Sequence, residues 1–315
     1  MSLAFVFPGQ GSQSVGMLAE LGAAEPVVGA TFAEASEVLG YDLWALCQNG
    51  SVAALGSTEC TQPAMLAAGV ATWRVWVQRG GPRPQAMAGH SLGEYTALVC
   101  SDAMDFRTAI DLVRYRGQVM QQAVPLGQGA MAAILGLDDT ELEAACREAA
   151  QGEVVEAVNF NAPGQTVIAG HATAVARAIE AAKARGAKRA LLLPVSVPSH
   201  SSLMRGAADR LAERLATVEV RMPNVPDVYT VDVHRHSSPA GIRASLKEQL
   251  FKPVRWADTV RAMLAAGATT FVECGPGKVL TALNRRIERK PDLTMLALED
   301  PASIAAALTA AGESA

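Results

Sequence analysis

The stretch that most limits what this chain can become is Gly89-His90-Ser91-Leu92-Gly93. This G-x-S-x-G pentapeptide lies between a short apolar run, Ala86-Met87-Ala88, and the helix-forming segment 94–99. Strand, sharp turn and helix in that order call for an α/β sheet, with a serine hydroxyl lifted above the end of a strand. The glycines relieve crowding at the turn, and the N–H of the next residue is left to hold an oxyanion. Two readings of Ser91 stay open at this level: a nucleophile that takes up an acyl group as an ester, or a serine that caps a helix after a glycine-rich turn.

The remainder of the 315 residues must supply a core for such a sheet. Half are hydrophobic and 18% charged, which excludes a disordered chain and suits one large domain or two unequal ones. A net charge of −4 gives no footprint for nucleic acid. The N-terminal run Leu3–Phe7 turns at once at Pro8-Gly9 and lacks a basic flank, so no signal peptide is expected. No apolar run approaches the ~20 residues of a membrane span. Cys47, Cys60, Cys100, Cys146 and Cys274 are dispersed and contain no C-x-x-C pair. They are expected to be buried thiols in a reducing compartment, the cytoplasm.

The first third alternates expected strands and helices: a strand at 3–7, a helix at 61–79, the elbow, and a helix at 105–122. Between 128 and 196 the rhythm changes to strand 130–137, helix 139–150, strands 154–160 and 166–169, helix 172–185 and strand 189–195. That βαββαβ order matches the ferredoxin-like split motif. Its edges, 125–129 and 194–198, are rich in proline and glycine. A βα rhythm then resumes with helix 199–216, strand 228–233, helices 239–250 and 256–266, strand 269–272 and helix 279–287. The expected fold class is therefore α/β: an α/β-hydrolase-like core with a mostly parallel sheet (1–127 and 197–315), interrupted by a small ferredoxin-like subdomain (128–196). Ligands of such sheets bind at the carboxyl ends of the strands, where Ser91 and the Pro8–Gly11 turn are expected.

Ser91 needs a base, and there are five histidines. His90 points away from its neighbour across the turn, and His171 lies in the inserted segment. His234 and His236 form an H-x-H in a polar turn, where solvated side chains are expected; no carboxylate or cysteine cluster completes a metal site. His200 follows Val197-Pro198-Ser199 at the expected start of a helix, whose N-terminus would keep the imidazole neutral. Catalysis and simple helix capping both remain open for it. An α/β hydrolase would place an acid between serine and histidine in the chain, yet 92–199 offers no obvious one at a strand end. A backbone carbonyl is therefore expected as the third group, which moves the reading away from esterases. Gly9-x-Gly11 lacks the third glycine of a dinucleotide fingerprint, and Gly275-Pro276-Gly277-Lys278 lacks P-loop spacing, so no nucleotide or metal cofactor is implied.

Several motifs occur in order along nearly the whole chain: Gly9-Gln10-Gly11-Ser12-Gln13, Gly89-His90-Ser91-Leu92-Gly93-Glu94, Arg116-Gly117-x-x-Met120-Gln121 and 158–165 (VNFNAPGQ). Pro198-Ser199-His200, Gln249-Leu250-x-x-Pro253-Val254-x-Trp256 and 275–280 (GPGKVL) follow. Together they resemble the malonyl-CoA:acyl carrier protein transacylases, the discrete bacterial type of fatty-acid synthesis. The resemblance implies Ser91 as nucleophile, His200 as its general base, and the main-chain carbonyl of Gln249 as the group that orients the histidine. It implies an oxyanion hole from the N–H groups of Gln10 and Leu92, and Arg116 as the fork that binds the malonyl carboxylate. Gln62, Asn159 and Asn161 would line the site.

The implied reaction is ping-pong transfer of malonyl from malonyl-CoA, through a serine ester, to the phosphopantetheine thiol of an acyl carrier protein. The enzyme would need no cofactor and would act as a monomer with that acidic carrier as a transient partner. Lys188, Arg189, Lys278, Arg285 and Arg286 are candidates for a basic docking rim. An acyltransferase of polyketide synthesis or malonate decarboxylation would share these residues; a serine hydrolase or thioesterase fits less well. Two positions depart from the family pattern: Ser201 where cysteine is frequent, and Thr230 where asparagine is usual.

Overall fold

The computed structural model describes residues 2–195 and 197–312. Residues 1, 196 and 313–315, at the edges of the expected domains, lie outside the described residues. The strands, in chain order, are β1 (Ser2–Phe7), β2 (Ala86–Gly89), β3 (Gly129–Leu135), β4 (Val155–Ala162) and β5 (Gln165–His171). They continue with β6 (Arg189–Leu192), β7 (Asp227–Tyr229), β8 (Ala268–Cys274) and β9 (Thr294–Leu298).

Five of them form a parallel sheet in the order β7-β2-β1-β8-β9. β1 is its middle strand, and the run Leu3–Phe7 is buried throughout. An uninterrupted apolar run is what a strand covered on both faces requires. Register brings Phe7 beside Gly89, so the Pro8–Gly11 turn and the elbow leave the same edge of the sheet. The other four strands form an antiparallel sheet in the order β4-β5-β3-β6, the ferredoxin-like arrangement. Here the strands alternate. Ala130, Ala132 and Ile134 of β3 pack under the helices Asp139–Ala150 and Ala172–Ala184. Met131 joins Val158, Val167 and Ala169 on the opposite face.

Contacts group the chain into two compact units, one of Met1–Gly117, Val218–Ile242 and Thr259–Ala315, the other of Gln118–Thr217 and Arg243–Asp258. The second unit is wider than the 128–196 segment marked by its turn-rich edges. Hydrogen bonds explain the extension: Val254 N donates to Val158 O (2.8 Å), Phe160 N to Val254 O (2.9 Å) and His200 N to Leu250 O (2.9 Å).

Several elements differ from the expected ones. The helix expected over 199–216 begins with a short 3-10 turn, Ser202–Met204, and its α-helical part is Arg205–Leu215. β7 and β6 are shorter than expected, whereas β9 and the helices Pro26–Leu39 and Pro301–Gly312 carried no assignment. Cys47, Cys100, Cys146 and Cys274 are buried free thiols, and Cys60 is half-buried. No helix among the described residues is long and apolar enough to cross a membrane.

Candidate active site

The elbow is built by close backbone approach. A Cβ on Gly89 would stand 1.8 Å from the carbonyl carbon of Gly93, so the turn between β2 and the helix Gly93–Cys100 closes only without a side chain there. A Cβ on Gly9 would likewise stand 2.4 Å from His90 O, which presses the Pro8–Gly11 turn against the elbow. Ser91 occupies left-handed backbone space at φ 53°, a conformation that costs on the order of 1–3 kcal/mol for a residue with a side chain. His90 N donates to Phe7 O, Gly93 N to His90 O and Ser12 N to Gly9 O. The N–H groups of Gln10 and Leu92 are not among the bonds that hold these two turns.

Arg116 comes from the helix Phe106–Ala123 and is 1% exposed. Burying a cation is costly unless polar partners offset the lost hydration. Its Nη1 donates to Gln62 Oε1 at 2.8 Å and its Nη2 to Ser91 Oγ at 3.2 Å, and its guanidinium carbon lies 5.5 Å from the centre of the Tyr95 ring. Gln62 is itself buried, on the helix Thr58–Gln78. Burial lowers the Arg116 pKa from its ordinary value, while Tyr95 and Glu94 act in the opposite direction. The same burial pushes the Tyr95 phenol well above its usual range. Ser91, Arg116 and Gln62 thus form a polar cluster in which a buried cation stands beside a half-buried hydroxyl.

His200 lies in the second unit. It is buried, and its backbone is left-handed at φ 65°. It therefore stands in a turn before the 3-10 segment, not in the first turn of an α-helix, which removes the helix-dipole argument for its neutrality. The tautomer is set instead by a carbonyl: His200 Nδ1 is 2.7 Å from Gln249 O. A carbonyl oxygen only accepts, so Nδ1 carries the hydrogen and Nε2 is the nitrogen able to take a proton. Ser202 secures the turn by donating its N–H (2.7 Å) and hydroxyl (2.8 Å) to Glu156. Asn159 and Asn161 sit on β4, where β-bulges interrupt the pairing with β5, and the buried Oδ1 of Asn159 accepts no hydrogen bond.

One expectation is corrected. His234 is solvated, with its side chain 81% exposed, but the His236 side chain is 1% exposed and faces Glu94, which is 0% exposed. The polarity of the turn hid this burial, which tertiary packing imposes. Thr230 is buried, its hydroxyl donating to Asp232 and accepting from His234 N. Of the basic residues singled out, Lys188 and Arg189 are exposed, Lys278 pairs with Glu299, and Arg285 donates to Met295 O. Among the described residues no group of three or more His, Cys, Asp or Glu side chains could hold a metal ion.

A serine on a strained strand–helix turn, with a buried guanidinium on its hydroxyl, is the arrangement expected of α/β proteins that handle acyl groups. The chain belongs to the acyl transferase domain family, whose model matches residues 4–301. It is 58% identical over 306 residues to the malonyl CoA-acyl carrier protein transacylase of Salmonella typhimurium, covering 97% of this chain and 98% of that one. The structure of the malonyl CoA-acyl carrier protein transacylase from Coxiella burnetii superposes with a TM-score of 0.96 at 51% identity, covering 98% of this chain and 97% of that one. A malonyl-transacylase solved in complex with a type II polyketide synthase (PKS) acyl carrier protein gives a TM-score of 0.96 at 54% identity, covering 98% and 100%.

Proposed function

We propose that this protein transfers the malonyl group of malonyl-CoA to the phosphopantetheine thiol of an acyl carrier protein through a malonyl ester on Ser91. The observation that carries the proposal is Arg116, a buried guanidinium 3.2 Å from Ser91 Oγ. An acyl group that ends in a carboxylate would sit with its carbonyl at the serine and its far end on the fork. An acetyl group would leave that cation unpaired.

In the first half-reaction His200 Nε2 takes the Ser91 proton as Oγ bonds to the thioester carbon. The N–H groups of Gln10 and Leu92 hold the oxyanion, and its collapse expels the CoA sulfur, which leaves with the proton from His200. In the second half the carrier thiol gives its proton to His200, attacks the ester carbon, and Ser91 recovers its hydrogen. The carbonyl of Gln249 keeps the imidazole in one tautomer throughout, as the acid of a triad otherwise does. Gln62 fixes the fork, and Asn159 and Asn161 line the approach on β4. The protein needs no cofactor, works in the cytoplasm as a monomer, and meets its acidic carrier through exposed basic residues, Lys188 and Arg189 foremost. Residues 128–196 form an inserted subdomain that carries Asn159, Asn161, Lys188 and Arg189.

Intact mass after mixing with malonyl-CoA tests the reading: the wild type gains one malonyl and releases one CoA, and Ser91→Ala gains none. Rapid release of free malonate without a carrier would make it a hydrolase instead. The 54% identity to a transacylase captured with a type II PKS carrier favours a second reading of the acceptor. Offering fatty-acid and polyketide carriers in competition decides between them.

A further inference from the structure

We propose that His236 is a positioning residue for acyl-group selectivity: it takes up the charge of Glu94 and so leaves the Arg116 guanidinium to the substrate carboxylate. The proposal rests on the acyl-transfer reading above.

Glu94 lies in the first turn of the helix that follows the elbow, three residues beyond Ser91, and its carboxylate is fully buried. A buried carboxylate needs cationic or hydrogen-bonding neighbours. Arg116 reaches the same helix start, its Nη2 3.2 Å from Ser91 Oγ and its guanidinium carbon 5.5 Å from the ring centre of Tyr95, the residue next to Glu94, and it feels the Glu94 charge there. On another side His236 Nε2 comes within 3.1 Å of Glu94 Oε1, both side chains sealed from water. The 3.1 Å approach is an electrostatic contact without hydrogen-bond alignment, and a hydrogen on Nε2 relieves the lone-pair repulsion there.

The loop is constructed to deliver this imidazole. Val233, a β-branched residue, is held at φ 73°, and Thr230 N closes the turn on His234 O at 2.8 Å. His236 N then donates to Val228 O of β7 at 3.1 Å, which turns the ring inward while His234 points to solvent. The guanidinium therefore lies between two claims. Glu94 charge that His236 offsets competes less for Arg116 with the carboxylate that the substrate brings. Arg116 supplies the binding charge, and His236 determines how much of it is available.

The experiment compares kcat/KM for malonyl-CoA and acetyl-CoA, with carrier protein as acceptor, in His236→Leu, His236→Gln, Glu94→Gln and the double variant Glu94→Gln/His236→Leu. His236→Leu is expected to lower malonyl transfer about tenfold while acetyl transfer changes less than about twofold, an effect of one mispaired charge. His236→Gln keeps an N–H donor and restores most of the malonyl preference. In the Glu94→Gln background the leucine substitution has no further effect on the preference, because the charge it would release is gone. Equal losses for both donors, or an undiminished penalty in the double variant, would overturn the proposal. If His236→Leu fails to fold, a His236→Gln variant that loses as much acetyl as malonyl transfer, or a Glu94→Gln variant whose malonyl preference falls, counts against it equally. A wild-type protein that forms no malonyl ester on Ser91 would remove the underlying reading instead.

Discussion

Replacing Arg116 by alanine isolates what the buried fork contributes. Its Nη1 is anchored on Gln62 Oε1 at 2.8 Å, and its Nη2 faces Ser91 Oγ at 3.2 Å, so the carboxylate of a serine-bound malonyl group falls within reach of the fork. Two charge-assisted hydrogen bonds at about 1.5–3 kcal/mol each amount to roughly 3–6 kcal/mol. At about 1.4 kcal/mol per tenfold, kcat/KM for malonyl-CoA should fall by on the order of 10²–10⁴. Acetyl-CoA makes neither bond, so its kcat/KM should stay within about tenfold and the preference between donors should collapse. Stability moves less, because two opposing terms meet. Gln62 loses a buried partner, costing about 1–3 kcal/mol, while the desolvation of a buried cation is relieved. Arg116→Lys keeps the charge without the planar fork and should fall between the two. The assay is transfer to carrier protein from each donor, with a thermal melt of each variant. An unchanged malonyl kcat/KM, or equal losses for both donors, would refute the assignment of the fork to the carboxylate.

Other outcomes follow from single contacts. His200→Ala should slow formation of the acyl ester by about 10²–10⁴ with an unaltered circular dichroism spectrum, since the 2.7 Å bond to Gln249 O leaves Nε2 as the base. Gly117→Ala would put a Cβ 2.8 Å from Glu59 Cα and Thr58 O, so the denaturation midpoint should drop by an amount equivalent to about 1–3 kcal/mol. Because this pushes the helix start below Gln62 away from Arg116, malonyl kcat/KM should fall with it. Glu273 is buried, which raises its pKa, although the N–H groups of Leu280 (3.0 Å) and Thr281 (2.7 Å) partly offset the shift. The native state then holds that proton more firmly than the unfolded chain. Stability contributed there is present below the ordinary glutamate value and is lost as pH rises through the raised one. Denaturant titrations at stepped pH should show that decline in the wild type and a flatter profile in Glu273→Gln.

Local signals made most of the scaffold legible. β1 and β2 are short apolar runs closed by Pro-Gly and Gly-His-Ser, and the helix 139–150 opens on an aspartate and closes before Gln151-Gly152. Elements fixed by packing were not. β9 is only five residues long, too short for a clear period, and the helix Pro301–Gly312 is alanine-rich around its buried Ile304, Ala307 and Ala311. At the site, Ser91 and Arg116 stood in motifs. The acceptor on His200 Nδ1 is a main-chain oxygen, which every residue possesses, so only resemblance could point to Gln249. His236 was read as solvated because its sequence neighbours are polar. Its side chain instead meets Glu94, more than a hundred residues earlier in the chain.

Ser91 and His200 share a backbone property: both are held at positive φ, 53° and 65°, where only glycine rests without strain. The surrounding fold thus maintains each against a standing pull toward ordinary backbone geometry, on the order of 1–3 kcal/mol. Glycine at either position would relax that pull, and Ser91→Gly should melt higher than the wild type while forming no ester. A screen of this protein for heat resistance alone would accordingly tend to discard the serine that its proposed chemistry needs first.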